Sequence, residues 1–238
     1  MKKVLIIMMI LLSFLLVACK SSNNNEDDEI TDLTTWDTFY DNKEDVLKMY
    51  NDFMKVTLGK TNFKMTLKQG KGDQGDFGEI YEIDGTTAKV TTEGNIRYAY
   101  IKDGEYCYAI TYKEDGNTRS EKSRDSYEST YNLYKGYTFS RYESFIDKKD
   151  PSRNTFEFTS EGKTYLKRGI TNKEEFITMT IKKYDNGMLS ILTIEAKAVN
   201  GLIKEFTYYE YGTSVPKEYA FSRTAFIEYD NVQIDIPE

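Results

Sequence analysis

Two short stretches carry residue types that could do chemistry. Gly70-Lys71-Gly72-Asp73-Gln74-Gly75 fits G-x-G-x-x-G, the spacing at which backbone amides cradle a phosphate. Glu174-Glu175 are neighbouring carboxylates of the kind that general acid–base chemistry uses. Neither meets the rest of its requirement. A phosphate loop needs a helix N-terminus behind its glycines, whereas Asp76-Phe77-Gly78 leads into another strand pattern, so this stretch reads as a flexible hairpin loop. Asp73 and Asp76 could touch a calcium ion, but the dense oxygen-ligand spacing of a dedicated loop is missing. On the helix predicted for Lys173–Tyr184, Glu174 and Glu175 would point about 100° apart, which suits the positive end of a helix and not a facing catalytic pair. Histidine is absent, which removes Ser-His-Asp and Cys-His nucleophile pairs and every His-containing metal site. An enzyme would have to use carboxylates, Lys or Tyr alone; no catalytic residue, metal or cofactor is expected.

The remaining candidates are a thiol and two groups of tyrosines. Cys107 falls inside a strand pattern and reads as a small packing residue. Tyr208-Tyr209-Glu210-Tyr211, and Tyr98 and Tyr100 with Tyr106, Tyr108 and Tyr112, form aromatic ladders. Such ladders serve as cross-strand packing pairs, as the wall of a ligand cavity or as a docking face.

These residues must be held by elements that the periodicity predicts. Asp41 to Leu58 places Val46, Leu47, Tyr50, Phe53, Met54 and Thr57 at helical spacing, with Asp41 or Asn42 as N-cap and Gly59 just past the end. At Asn62 the period switches to two, with Phe63, Met65 and Leu67 on one face. A meander follows through Glu79–Ile83, Thr86–Thr92, Ile96–Lys102 and Tyr106–Tyr112, punctuated by Asp84-Gly85, Glu93-Gly94, Asp103-Gly104 and Asp115-Gly116. Asp-Gly between alternating runs is a hairpin cue, because the turn needs positive φ. Asn117 to Pro151 is less regular, and the spacing of Tyr127, Tyr131 and Tyr134 predicts short helices covering the sheet. Strands are then expected at Asn154–Thr159 and Lys163–Lys167 around Glu161-Gly162, followed by the Lys173–Tyr184 helix stopped at Asn186-Gly187. Leu189–Val199, Leu202–Tyr211 and Tyr219–Tyr229 complete the strands. A sheet with helices as its cover makes the expected class α+β.

The first residues say where the chain is sent. Met1-Lys2-Lys3 is a positive n-region, and Val4 to Val17 is an apolar run broken only by Ser13, short for a bilayer span and ending at Ala18-Cys19. Leu16-Val17-Ala18-Cys19 resembles the lipobox of bacterial lipoproteins, which implies cleavage before Cys19 and diacylglycerol on its sulfur, with the membrane as partner. More than one acyl chain makes such an anchor durable, at about 0.8 kcal/mol per buried methylene. The expected organisation is residues 1–18 as signal peptide, 19–40 as lipidated Cys and disordered tether, rich in Ser, Asn, Asp and Glu, and 41–238 as one domain. Loss of 1–18 removes two lysines and leaves 30 basic against 39 acidic residues, a net of −9 that argues against nucleic acid. With Cys19 acylated, Cys107 is the last thiol, so no internal disulfide can staple the fold, and a monomer resting on its core is expected.

An N-terminal helix, a long antiparallel meander with Asp-Gly turns, a helical cover and a closing hairpin ending in Val232-Gln233-Ile234-Asp235-Ile236-Pro237 is similar to the lipoprotein-carrier superfamily of LolA, LolB and LppX. That resemblance, one of pattern over Asp41 to Glu238, implies a strongly curved antiparallel sheet or incomplete β-barrel with helices covering the concave face. It also implies an apolar cavity for acyl chains, whose lining would include Phe53, Met54, Met65, Leu67, Tyr98 and Tyr100. The expected function is therefore a membrane-anchored, extracytoplasmic, non-enzymatic lipoprotein binding a lipid or other apolar ligand. The alternative is a surface interaction protein whose tyrosine-rich sheet docks a protein or glycan of the envelope, which predicts a filled core and an exposed aromatic patch.

Overall fold

Period-two alternation runs much further along the chain than its turn signals mark. In the computed structural model, which describes residues 33–71, 74–135, 145–167 and 169–237, strand accounts for 60% of the described residues. The strands are β1 (Leu33–Tyr40), β2 (Asn62–Lys71), β3 (Gln74–Asp84), β4 (Thr87–Thr91), β5 (Asn95–Lys102) and β6 (Glu105–Tyr112). They continue with β7 (Thr118–Lys122), β8 (Asn154–Lys167), β9 (Ile170–Asp185), β10 (Met188–Val199), β11 (Leu202–Gly212) and β12 (Phe221–Tyr229). All belong to one twelve-stranded sheet in the order β1-β8-β9-β10-β11-β12-β2-β3-β4-β5-β6-β7. Every pairing is antiparallel. Two meanders, β2–β7 and β8–β12, are thus joined by the pairing of β12 with β2.

This corrects the expected α+β class. The protein is mostly sheet, the sheet is open with β1 and β7 at its edges, and an arrangement of helices covering a concave face is not found. Among the described residues the α-helices are α1 (Lys43–Leu58) and α2 (Arg124–Tyr131). Asn42 caps α1, its side-chain oxygen accepting from the Glu44 amide at 2.8 Å, and Glu44 and Asp45 favour the positive end. Ser123 caps α2, and the Tyr127 and Tyr131 hydroxyls donate to the Thr86 and Gly85 carbonyls, each at 2.8 Å, pinning the helix beside the β3–β4 turn.

Three local expectations also change. Lys173–Tyr184 is strand, lying inside β9, because Ile177, Met179 and Ile181 are buried at alternate positions and β8 and β10 pair along its two sides. Glu161-Gly162 is not a turn but the middle of β8. A Cβ at Gly162 would collide with the Glu174 carbonyl oxygen and lie 2.7 Å from the Trp36 ring, so the missing side chain admits a close neighbour and bends nothing. The end of the segment expected to be tether, Leu33–Tyr40, forms β1 against β8. The hairpin cues fare better: Asp103-Gly104 and Asn200-Gly201 have positive φ at both residues, and Asn186-Gly187, expected to stop a helix, has the same conformation and turns β9 into β10. Gly70 and Gly75 face each other in the β2–β3 hairpin, with residues 72–73 outside the described set, so strand and not helix follows the glycines.

One face of the sheet, the inner one, builds the core. Phe63, Met65, Leu67, Tyr81, Phe158, Met179, Ile194, Phe206 and Ile227 form one contiguous cluster with Val46 and Tyr50 of α1 and Tyr127 of α2. Met65, Leu67, Tyr81, Phe158 and Met179 are each at most 1% exposed. Burying a side chain of this size contributes about 2–3 kcal/mol. The opposite, outer face is mostly Thr, Glu and Lys, the alternation expected where one side of an antiparallel sheet meets water. It carries a small second cluster of Tyr98, Tyr100, Cys107 and Ala109, onto which Ile234 of the C-terminal tail packs. Asn62 holds that tail, accepting from the Val232 amide at 3.0 Å and donating to its carbonyl at 2.8 Å.

Candidate functional site

Of the six residues expected to line one cavity, those whose side chains are described divide between the two faces of the sheet. Phe53 lies on α1, half-buried and stacked on Phe158 with ring centroids 6.3 Å apart, and Met65 and Leu67 are interior core residues of β2. Met54 lies in α1. Tyr98 and Tyr100 sit on the outer face of β5, in the second cluster. The tyrosine ladders divide in the same way: Tyr208 points into the core while Tyr209 and Tyr211 face outward. Cys19 lies outside the described residues. Cys107 is buried in β6, its thiol 3.5 Å from the Glu105 carbonyl oxygen. The two acids considered for catalysis occupy opposite faces of β9. Glu175 is buried, taking the Ser160 hydroxyl on one oxygen and facing the Lys173 ammonium at 3.1 Å with the other. Glu174 is on the outer face, where the Tyr165 hydroxyl at 2.9 Å, then Lys163 and Lys197, hold its carboxyl below the ordinary range.

What the structure does bring together is a cleft on the outer face of β8–β11, of about 410 Å³. In register across the strands stand Glu161, Phe176, Lys197 and Glu205, and one step along them Thr178, Glu195 and Thr207. Neighbouring strands lie about 4.8 Å apart, so Glu161 and Glu205 are about 14 Å apart across the sheet. Phe176 is 50% exposed, an apolar ring standing in a polar row, with the Lys197 ammonium 5.7 Å from its centroid. Tyr209 donates to Glu195, whose other oxygen lies 3.5 Å from Lys217, and Lys217 sits 5.0 Å over the Tyr209 ring. Both Glu195 and Tyr209 are thereby fixed in direction, which pre-organises them for a ligand.

Comparison of the chain with family models, with curated proteins and with solved structures finds no match. The cleft must therefore be read by its chemistry. A ring that offers a flat apolar surface, three carboxylates that accept hydrogen bonds, and Thr and Tyr hydroxyls that both donate and accept are complementary to a polyhydroxylated molecule with apolar C–H faces. Sequence reasoning missed Phe176 because a helix over 173–184 takes it out of the sheet, and Glu195, Lys197 and Glu205, on strands that were expected, then lack the neighbour that completes the row. The signal was present in Ile177-Thr178-Met179-Thr180-Ile181-Lys182, which alternates with a period of two, with Phe176 as the apolar residue out of phase.

A second cleft, of about 650 Å³, opens at the far end of β9–β11, between Phe145, Lys183, Met188, Glu210 and Val215. Its walls are mixed, with Lys183 lying 5.0 Å over the Phe145 ring.

Proposed function

We propose that the chain is a lipid-anchored, non-enzymatic lipoprotein of the extracytoplasmic membrane face that recognises a surface glycan through the outer face of β8–β11. The anchor rests on the resemblance of Leu16-Val17-Ala18-Cys19 to a lipobox. The recognition reading rests on one observation: Phe176 is half exposed within a cleft of carboxylates and hydroxyls, on a sheet whose other face is consumed by the core. A pyranose ring stacked on Phe176 would displace the Lys197 ammonium, which swings away on its flexible stem, and would present hydroxyls to Glu161, Glu195 and Glu205. The cleft spans several strands and suits a short oligosaccharide better than a monosaccharide.

Calorimetric titration of the protein with fractionated envelope polysaccharide tests this. Wild type binds, and Phe176→Ala weakens binding at least tenfold while the circular dichroism spectrum stays unchanged. Equal binding by both proteins, or by neither, would remove the reading. For the anchor, Cys19→Ala is expected to move the protein from the membrane fraction and abolish labelling by a fatty-acid analogue.

A second reading, an amphiphilic ligand, draws support from the 650 Å³ cleft, where Phe145, Met188 and Val215 offer apolar surface beside Lys183 and Glu210. Native mass spectrometry after mild purification separates the two: bound lipid favours the amphiphile, a clean apo mass the glycan.

A further inference from the structure

The two edges of the sheet are built differently. β7 is five residues long and wholly exposed, and Arg119, Glu121 and Lys122 give it the charge density that keeps an edge from pairing. β1 is eight residues long, carries one charge, contains no Pro, and runs without a bulge along β8. Its outer-face residues include two exposed hydrophobic side chains, Leu33 at 55% and Phe39 at 60%. Among the described residues β1 pairs on one side only, with β8, and an edge of this kind presents a row of backbone donors and acceptors to another strand.

We propose that β1 pairs with β1 of a second copy of this chain, antiparallel about a twofold axis through Trp36, joining two twelve-stranded sheets edge to edge. The sequence of the strand selects that register. With Trp36 on the axis, Leu33 falls opposite Phe39 of the second copy and Phe39 opposite its Leu33, so both exposed hydrophobic residues are covered. Thr35 then faces Asp37, and Thr34 faces Thr38. A slip of one residue pairs the inner face of one sheet with the outer face of the other, since side chains alternate along a strand. A twofold axis through Asp37 sets two carboxylates directly opposite, which is unfavourable. Edge pairing alone buries less area than a stable dimer needs. Two copies tethered to one membrane meet at a raised effective concentration, which offsets this. The expected assembly is a dimer on the membrane in place of the monomer expected from the sequence, and its register does not depend on the glycan reading.

The test uses the full-length lipidated chain in phosphatidylcholine vesicles, with Cys107→Ser removing the internal thiol. Directly opposed residues have Cα atoms about 4.5–5.5 Å apart, inside the range a disulfide spans. Thr35 and Asp37 are both exposed, so Thr35→Cys and Asp37→Cys leave the core alone. Mild oxidation of the two variants mixed in one membrane is expected to give at least tenfold more disulfide dimer than Arg119→Cys on β7, and more than either variant alone. Adding Phe39→Lys to both is expected to abolish the difference. Cross-linking no greater than the Arg119→Cys control would overturn the dimer, including the case in which the chain's own leader covers the edge. A dimer in which Thr35→Cys links best to itself would overturn the register.

Discussion

Phe176 stands half exposed between Glu161 and Lys197, where a residue needed only for packing would be covered. Phe176→Ala is therefore expected to lower stability by about 1–1.5 kcal/mol, half of what full burial of such a ring contributes, while removing the ring on which the proposed glycan would stack. Thermal unfolding and binding, measured on one preparation, should separate in this way. Glu175 behaves oppositely. Glu175→Gln keeps an acceptor for the Ser160 hydroxyl and gives up the ion pair with a half-exposed Lys173, at a cost of about 1 kcal/mol, readable as a shift in urea midpoint. Titration adds a dependence on pH. Glu174 is held below its ordinary 4.5 by the Tyr165 hydroxyl, and Asp147 below 3.8 by the Asp150 amide. The folded state then binds fewer protons than the unfolded one, so this stability is complete above about pH 5 and is lost as pH falls through the depressed values. At the other extreme burial pushes Tyr134 up to about 12 from 10.0 and raises Tyr100, Tyr108, Tyr127 and Tyr131 as well, so unfolding is favoured progressively above pH 10 and several phenolates are expected to titrate late by ultraviolet absorbance. At this scale the sequence revealed residue types but not company: the tyrosines were visible, and their division between two faces was not, because a strand's facing depends on partners distant in sequence.

The elements were legible where turn chemistry is local. Asp103-Gly104 and Asn200-Gly201 announce their hairpins because positive φ at both positions is a property of those residues themselves. Gly162 misleads for the complementary reason, being selected by its neighbour across the sheet and not by its own backbone. Gly162→Ala should force Trp36 and the β9 backbone apart and cost about 1–3 kcal/mol, seen as a lower melting temperature with the binding cleft disturbed at Glu161. β9 was hidden by plausible helix signals at both ends, Thr171-Asn172 and Asn186-Gly187, the second of which is a hairpin turn. The β-branched and alternating interior of β9 outweighs them once β8 and β10 flank it. Phe158→Ala in β8, at the meeting of Tyr40, Phe53 and the inner face, is expected to cost about 3–5 kcal/mol by equilibrium unfolding.

At the scale of the molecule, a single sheet separates two environments: an inner face filled by aromatic and aliphatic side chains, and an outer face that meets solvent. Met65 and Leu67, expected to wall a cavity, are packed within the core. The proposed anchor and β1 pairing together would place two copies with their outer faces side by side. The most direct measurement is the difference in affinity for envelope polysaccharide between wild type and Phe176→Ala by isothermal titration. The account predicts saturable binding by wild type and a loss of at least tenfold in the variant; equal heats from both proteins would contradict it.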